Sequence, residues 1–202
     1  MKEPGKIIVY TGPMFSQKST SLFLELLREK YKKKKVIYYK VSLEVKKKVP
    51  MDIQTHWSHS PLEHEREKFA CFHIPTNFDL VAEMGDEDTI AIDEYQFFER
   101  KWIHPQVLQY VNAGKKVLVA GLDRDYMGNI FESMAYITAE ADKVYKKTAV
   151  CYYSGEPATH SWKIGGDLSK RLETGASDKY LPVCRRVFNQ LKAKFKEGTL
   201  VQ

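Results

Sequence analysis

Short apolar runs of strand length alternate with stretches of helical period along this chain. Lys6-Ile7-Ile8-Val9-Tyr10 is a compact apolar run, followed by a loop carrying Gly12 and Pro13 and a helical pattern from about Lys18. Leu22, Phe23, Leu26, Leu27 and Tyr31 recur at three- and four-residue spacing, which predicts one apolar stripe on that helix. Val36-Ile37-Tyr38-Tyr39 predicts a second strand and Cys71-Phe72-His73-Ile74 a weaker one. Thr89-Ile90-Ala91-Ile92-Asp93 reads as a strand that ends on an acid. Asn77 to Met84 reads as a short helix stopped by Gly85, and Trp102 to Asn112 as a longer one stopped by Gly114. Lys116 to Ala120 is another buried strand and Asp142 to Val150 one more. Strands alternating with helices predict an α/β fold with a mostly parallel sheet flanked by helices.

Two stretches break this rhythm. Residues 40–68 are polar and rich in Lys, His and Glu with no clean period, which fits a mobile loop or a substrate-side lid. After Val150 the composition shifts: Gly155, Gly165, Gly166 and Gly175 punctuate a segment with little apolar period until a helical pattern from Pro182 to Phe195. The expected organisation is therefore an α/β domain over 1–150 and a small loop-rich subdomain with a C-terminal helix over 151–202. No internal repeat is visible. The Lys32 to Lys35 run is the solvated end of a helix, where Lys suits the negative end of the dipole.

Composition narrows the class. At 202 residues with 43% hydrophobic and 12% aromatic content, the chain has the length and apolar content for one packed domain. A formal net charge of +6 leaves a polyanionic partner open, but the basic clusters lack interleaved aromatics, which ranks sequence-specific RNA binding low. Three cysteines (Cys71, Cys151, Cys184) exclude a dense disulfide framework. The N-terminal residues hold no apolar stretch of signal-peptide length, and no segment approaches the ~18 apolar residues of a membrane span, so a cytoplasmic protein is expected.

The chemistry concentrates in two places. Gly12-Pro13-Met14-Phe15-Ser16-Gln17-Lys18-Ser19 lies between a strand and a helix, where a phosphate-binding loop must lie. Its consensus is G-x-x-x-x-G-K-[ST]: backbone amides cradle the phosphates, the Lys reaches the terminal ones, and the hydroxyl binds Mg²⁺. Gly12, Lys18 and Ser19 match; Gln17 stands where the second Gly belongs and either turns its side chain outward or obstructs nucleotide. At the end of the Thr89–Asp93 strand, Asp93 places a carboxylate where Mg²⁺ of a phosphate site would be met through water. Glu94 follows immediately and is the candidate base for an attacking hydroxyl. The bland reading, an acidic pair ending a strand, loses weight because the phosphate loop lies upstream.

Five segments, GPMFSQKST, AIDEYQFF, VAGLDRDYMG, KKTAVC and TGASDKYLPVCRR, stand in an order and spacing that resembles the cellular-type (type II) thymidine kinases from about Lys6 to Val187. The resemblance implies an ATP-binding α/β domain with a lasso-bearing subdomain, in a homotetramer. It implies phosphorylation of the thymidine 5′-hydroxyl with ATP and Mg²⁺, often inhibited by the triphosphate product. Carried over by position, Lys18 and Ser19 resemble the phosphate and Mg²⁺ residues, Asp93 the metal-side acid, and Glu94 the catalytic base. Met14, Phe97 and Tyr126 resemble thymine-pocket residues; Thr174, Gly175 and Tyr180 belong to the lasso that reads the base mainly through backbone.

Four departures stand against it: Gln17; Ser42-Leu43-Glu44, where the family carries Asp-x-Arg beside the deoxyribose; Met127 after the aromatic; and the metal site. The family often holds structural zinc with four Cys or His ligands. Here Cys151 and Cys184 remain, with Ser154 and Val187 at the partner positions, so no structural zinc is expected. Three functions therefore compete: an active thymidine kinase, a kinase whose nucleoside choice is shifted by Glu44 and Tyr126, and a catalytically inactive relative serving as a binding or structural subunit of a larger assembly.

Overall fold

A computed structural model describes residues 5–51, 70–165 and 179–197. Its centre is a seven-stranded sheet built from Ile7–Thr11 (β1), Val36–Val41 (β2), Val49–Pro50 (β3), Ala70–Ile74 (β4), Thr89–Asp93 (β5), Lys116–Gly121 (β6) and Lys143–Lys146 (β7). The order is β3-β4-β2-β5-β6-β1-β7, parallel throughout except where the two-residue β3 pairs antiparallel with β4. The sequence expectation of a mostly parallel α/β sheet flanked by helices therefore holds.

Period-2 alternation decides which face each residue covers. Ile7, Val9, Ile90, Ile92, Val117 and Val119 point to one face, where they pack with Ile103, Val107 and Tyr110 of α2 (Arg100–Asn112) and Met134 and Ile137 of α3 (Glu132–Glu140). Tyr10, Tyr38, Ala91, Leu118 and Ala120 point to the other, against Leu22, Phe23, Leu26 and Leu27 of α1 (Lys18–Tyr31). Each such side chain, fully buried, contributes about 1.5–3 kcal/mol. Sandwiched between helices, β5 is buried along its whole length, which fixes the direction in which its terminal acid leaves the sheet.

A third cluster is smaller. Ala149–Val150 (β8) pairs with Pro157–Ala158 (β9), and His160–Lys163 (β10) pairs antiparallel with Tyr180–Val183 (β11). Cys151, Ala158, Trp162, Val183 and Cys184 pack there with Val187 and Phe188 of α4 (Arg185–Lys196).

Several expectations need correction. Asn77–Met84 is a pair of turns: Gln106 Oε1 accepts from the Leu80 and Val81 amides (2.6 and 3.3 Å) and Asp79 Oδ1 from the Ala82 amide (2.9 Å), which withdraws them from a helical ladder. Asp142–Val150 divides between β7 in the main sheet and β8 in the small one. The last helix starts at Arg185, since Pro182 lies in β11 opposite Ser161. The segment 151–180, expected to be loop-dominated, carries β9 and β10 within its described part, and residues 40–68 carry Lys40 and Val41 in β2 and the short β3. Within 40–68, residues 52–68 lie outside the described residues. Tyr31, expected on the apolar stripe, is the last residue of α1 and is 62% exposed. Glu29 is buried instead; burial opposes its charge, but hydrogen bonds from Lys116 (2.8 Å) and Lys32 (2.7 Å) outweigh that and hold its carboxyl below the usual range.

Candidate active site

The carboxyl ends of β1, β5 and β6 converge, β6 lying between the other two, and the loops that leave them build one crevice. After Thr11, the loop turns at Gly12 (φ 143), where a side chain would collide with the Lys147 carbonyl. Lys147 closes the loop from its other side: its amide donates to Thr11 O (2.7 Å) and its Nζ to Ser21 Oγ on α1 (2.6 Å). Phe15 (φ 64) and Gln17 (φ 58) both occupy the left-handed region, at about 1–2 kcal/mol each for side chains with a Cβ. Gln17 thus adopts the backbone that the missing glycine would have supplied, and its side chain is exposed. Of the two alternatives for Gln17, this is the outward one.

Lys18 opens α1 and folds back over the loop: its Nζ donates to Pro13 O at 2.6 Å and lies 3.5 Å from Ser16 Oγ, which itself donates to Pro13 O at 2.8 Å. Burial pulls the Lys18 ammonium below its ordinary pKa, while the charges of Glu94, Asp93 and Asp123 support it. Ser19 is the next residue of the helix, half-buried at its N-terminal turn. Met14 is tied in through its amide, which donates to Ser161 Oγ of β10 at 2.9 Å.

At the end of β5 both oxygens of the buried Asp93 are engaged. Tyr38 OH donates to Oδ2 (2.7 Å) and the Glu94 amide to Oδ1 (3.0 Å). Burial, then the Asp93 charge, pushes the Tyr38 hydroxyl well above its usual pKa, so it stays a donor. Glu94 sits at φ 58, a left-handed residue that turns the chain into the 3₁₀ turn at Tyr95. Gln96 fixes the Glu94 side chain: Nε2 donates to Glu94 Oε2 at 2.6 Å while Oε1 accepts the Leu122 amide at 3.0 Å. Gly121 makes this possible, since a Cβ there would lie 2.8 Å from Gln96 Oε1. Burial raises the pKa of Glu94 above the carboxylate norm and Asp93 raises it further, against Gln96, Lys40 and Lys18, which lower it. A carboxyl tuned upward beside a buried ammonium is suited to accept a proton.

The nucleoside-side candidates divide. Tyr126 and Tyr180 share a neighbour in Lys163 of β10, which is 1% exposed with Nζ 5.4 and 5.9 Å from their ring centroids, inside the range of cation–π attraction. Because Ser161 of the same strand holds Met14, β10 links the phosphate loop to both tyrosines. Phe97 belongs to a 3₁₀ turn (Tyr95–Phe97) and packs half-buried on the core under α2 and α3. Thr174 and Gly175 lie outside the described residues. In the departing segment, the Ser42 amide donates to Ile74 O (2.9 Å) and Ser42 Oγ accepts the Glu44 amide (3.2 Å), so Ser42 caps a turn there.

Sequence reasoning missed Gln96, Tyr38, Asp123, Lys40, Ser161 and Lys163. Lys40 pairs in register with Asp93, and Asp123 forms an ion pair with Lys146 at 3.0 Å. For Tyr38 and Lys40 a signal existed: both stand on β2 at the parity of Asp93 once β2 and β5 are neighbours. The others become visible only through the small sheet or the turn after β5.

Cys151 and Cys184 are both buried and unbridged. Among the described residues no group of three His, Cys, Asp or Glu could hold a metal ion, and no helix is long and apolar enough to cross a membrane. For Mg²⁺, which keeps most of its water and leans on phosphate oxygens and one or two carboxylates, Ser19 and Asp93 are a fitting pair.

Comparison with known proteins gives a consistent result. The thymidine kinase family profile matches residues 5–188. The chain is 32% identical to a thymidine kinase of Rhodothermus sp. (strain ITI 518) over 91% of its own length and 81% of the relative's. It is 31% identical to one from Bacteroides thetaiotaomicron (96% and 91%) and 33% identical to one from Pyrobaculum aerophilum (89% and 96%). Among solved structures, the flagellar accessory protein FlaH of Methanocaldococcus jannaschii superposes with a TM-score of 0.53 at 12% identity over 77% of this chain and 76% of that one, which is a likeness of fold alone.

Proposed function

The chain belongs to the thymidine kinase family, and from that membership we propose that it transfers the terminal phosphoryl group of ATP to the 5′-hydroxyl of thymidine. The observation that carries this reading is Glu94, held by Gln96 at the end of β5 and within electrostatic reach of the Lys18 ammonium of the phosphate loop.

The residue roles follow from chemistry. The 5′-oxygen must lose its proton as it bonds to the γ-phosphorus and the β–γ bridging oxygen departs with ADP. Glu94 takes that proton, and its raised pKa makes it a stronger base than a solvated carboxylate. Lys18 exchanges its Pro13 carbonyl partner for phosphate oxygen and balances charge as the group moves. Ser19, at the start of α1, and Asp93, at the end of β5 with its oxygens engaged by Tyr38 and the Glu94 amide, are the residues that would hold a Mg²⁺ arriving with ATP, which would supply charge neutralisation of the phosphate oxygens. Tyr38 keeps Asp93 oriented. Met14, Phe97, Tyr126 and Tyr180, with Thr174 and Gly175, form the nucleoside side. We further propose a soluble homo-oligomer, a tetramer in the family's pattern, without structural zinc, working in the cytoplasm.

The pseudoenzyme reading rests on the altered phosphate loop at Gln17, the changed Ser42-Leu43-Glu44 segment, the incomplete zinc positions and the basic surface taken together. The left-handed backbone and exposed side chain at Gln17 support a loop that keeps its course without the glycine, which favours activity. The test is phosphoryl transfer from ATP-Mg²⁺ to a nucleoside panel. Product with thymidine supports the proposal, product only with another nucleoside moves it to shifted specificity, and no product from folded protein transfers it to a binding role.

A further inference from the structure

The turn that carries Tyr126 is shaped from within and seated from outside. Across residues 122–130 the buried Asp125 organises it: Oδ1 accepts the Met127 and Asn129 amides (3.0 and 2.8 Å) and Oδ2 the Asn129 side-chain amide (3.1 Å). The Asp125 amide donates to Asn129 O (2.9 Å), and Arg124 and Ile130 form a bridge across the base of the turn. All of these bonds lie inside the turn, so they set its shape and leave its placement against the small sheet to other contacts.

Helix α4 supplies two of those contacts. Phe188 and Lys192 stand four residues apart and so share one face of the helix, with Lys192 Nζ 5.6 Å from the Phe188 ring centroid. Lys192 Nζ donates to the Met127 carbonyl at 2.7 Å. The Phe188 ring lies against Gly128, whose φ of 86 suits glycine and where a Cβ would come within 3.0 Å of the ring. A third contact comes through β10: His160 stacks on the same ring (centroids 4.3 Å apart, planes 23° apart), and its Nε2 stands 3.3 Å from Arg124. A guanidinium only donates, so Nε2 accepts and Nδ1 keeps its proton for Thr159 Oγ1 at 2.9 Å. The three contacts fall on Arg124, Met127 and Gly128, on both sides of Tyr126 in the chain. The bond at Met127 is to its backbone, which makes it indifferent to the side chain at that departing position.

We infer that Lys192 and Phe188 of α4, together with His160, are positioning residues for the acceptor nucleoside, acting through Tyr126. The inference rests on the assignment of Tyr126 to the nucleoside side and deepens it: the C-terminal helix seats the turn that presents this ring. Lys18 and Glu94 are held by other bonds, to Pro13 and to Gln96, so loosening the α4 contacts displaces Tyr126 and leaves the phosphate loop and the base in place. A contact group displaced by about 1 Å can cost up to about a hundredfold, and here the cost falls on nucleoside binding.

The experiment compares the full-length protein with Lys192→Met, which keeps the apolar stem against Phe188 and removes the donor, and with Lys192→Arg, which restores a donor. Thymidine and ATP are varied separately in the phosphoryl-transfer assay, and hydrogen exchange is followed by mass spectrometry over residues 122–131. In Lys192→Met the KM for thymidine should rise about tenfold, the loss of one hydrogen bond to a charged group, with kcat and the KM for ATP within about twofold. Exchange over the turn should quicken at least about threefold, and Lys192→Arg should recover most of both changes. Phe188→Leu should give the same selective rise in the KM for thymidine by a second route. Exchange unchanged in Lys192→Met would overturn the seating of the turn by α4. Faster exchange with an unaltered KM for thymidine, or a fall in kcat and a rise in both KM values together, would overturn the positioning role. Tyr126→Ala separates this from the reading beneath it: a KM for thymidine unmoved by that change removes Tyr126 from the nucleoside side, and the inference falls with it even where exchange responds.

Discussion

Gln96 offers the sharpest perturbation, because it joins Glu94, the proposed base, to the scaffold by two hydrogen bonds of different kinds. Replacing it by Leu keeps the bulk but removes the donor to Glu94 Oε2 (2.6 Å) and the acceptor for the Leu122 amide (3.0 Å). A hydrogen bond to a charged group contributes about 1.5–3 kcal/mol. The Gln96 donor favours the ionised form of Glu94, so its loss raises a pKa that burial and Asp93 already hold high. At 1.36 kcal/mol per pH unit, the rise is about 1–2 units. The assay is kcat/KM for thymidine against pH: activity requires the Glu94 carboxylate, so it climbs as pH rises through the pKa of Glu94. In Gln96→Leu that acidic limb should move to higher pH by about 1–2 units, and in Gln96→Glu further still. The orphaned Leu122 amide should separately lower stability by about 1–3 kcal/mol in urea titrations. An acidic limb superimposed on that of the unaltered protein, with stability lowered as expected, would refute the reasoning and leave Gln96 a structural residue only.

Gln17→Gly should leave ATP affinity within about threefold, since the side chain is exposed, and change stability by under about 1 kcal/mol as relieved strain offsets the glycine's added freedom when unfolded; an affinity gain beyond tenfold in calorimetry would mean the Gln does obstruct the loop. Burial, then Arg124 and Arg185, depresses His160 from 6.5 to about 4. The unfolded chain therefore takes up a proton below about 6.5 that the folded one refuses until about 4, so stability is complete above that window and falls as pH drops through it. Screened by nearby solvent, the effect is about 1–2 kcal/mol; urea midpoints should drop less between pH 7 and 5 in His160→Gln, and parallel curves would contradict this. Metal analysis of purified protein should find zinc far below one per chain, and a ratio near one would overturn the absence of a structural site.

The main sheet was legible because strands buried on both faces between helices write themselves as short, unbroken apolar runs: Ile7–Tyr10, Thr89–Asp93 and Lys116–Ala120 all stand where their composition put them. Helices read less well. The α3 helix gave no signal, since Met134 and Ile137 are its apolar anchors in the core, and a turn pair passed for a helix at Asn77–Met84 because the group that unmakes the helix, Gln106, lies on another element. At the site, Lys18, Ser19, Asp93 and Glu94 could be found from spacing, since strand–loop–helix geometry dictates where a phosphate loop and an acidic strand end fall. Lys163, Ser161 and Gln96 could not, because their proximity follows from the β10–β11 pairing and from a left-handed turn at Glu94 that no local pattern announces.

The account stands or falls on Glu94 as the base of a working kinase. The most direct measurement is thymidine monophosphate formation from ATP-Mg²⁺ by the unaltered protein and by Glu94→Gln, with nucleotide binding followed in parallel. The prediction is thymidine-dependent product that falls at least about a hundredfold in Glu94→Gln while ATP-Mg²⁺ still protects both proteins against thermal unfolding. Turnover retained in Glu94→Gln would remove Glu94 from the role, and no product from unaltered, folded protein would contradict the kinase itself.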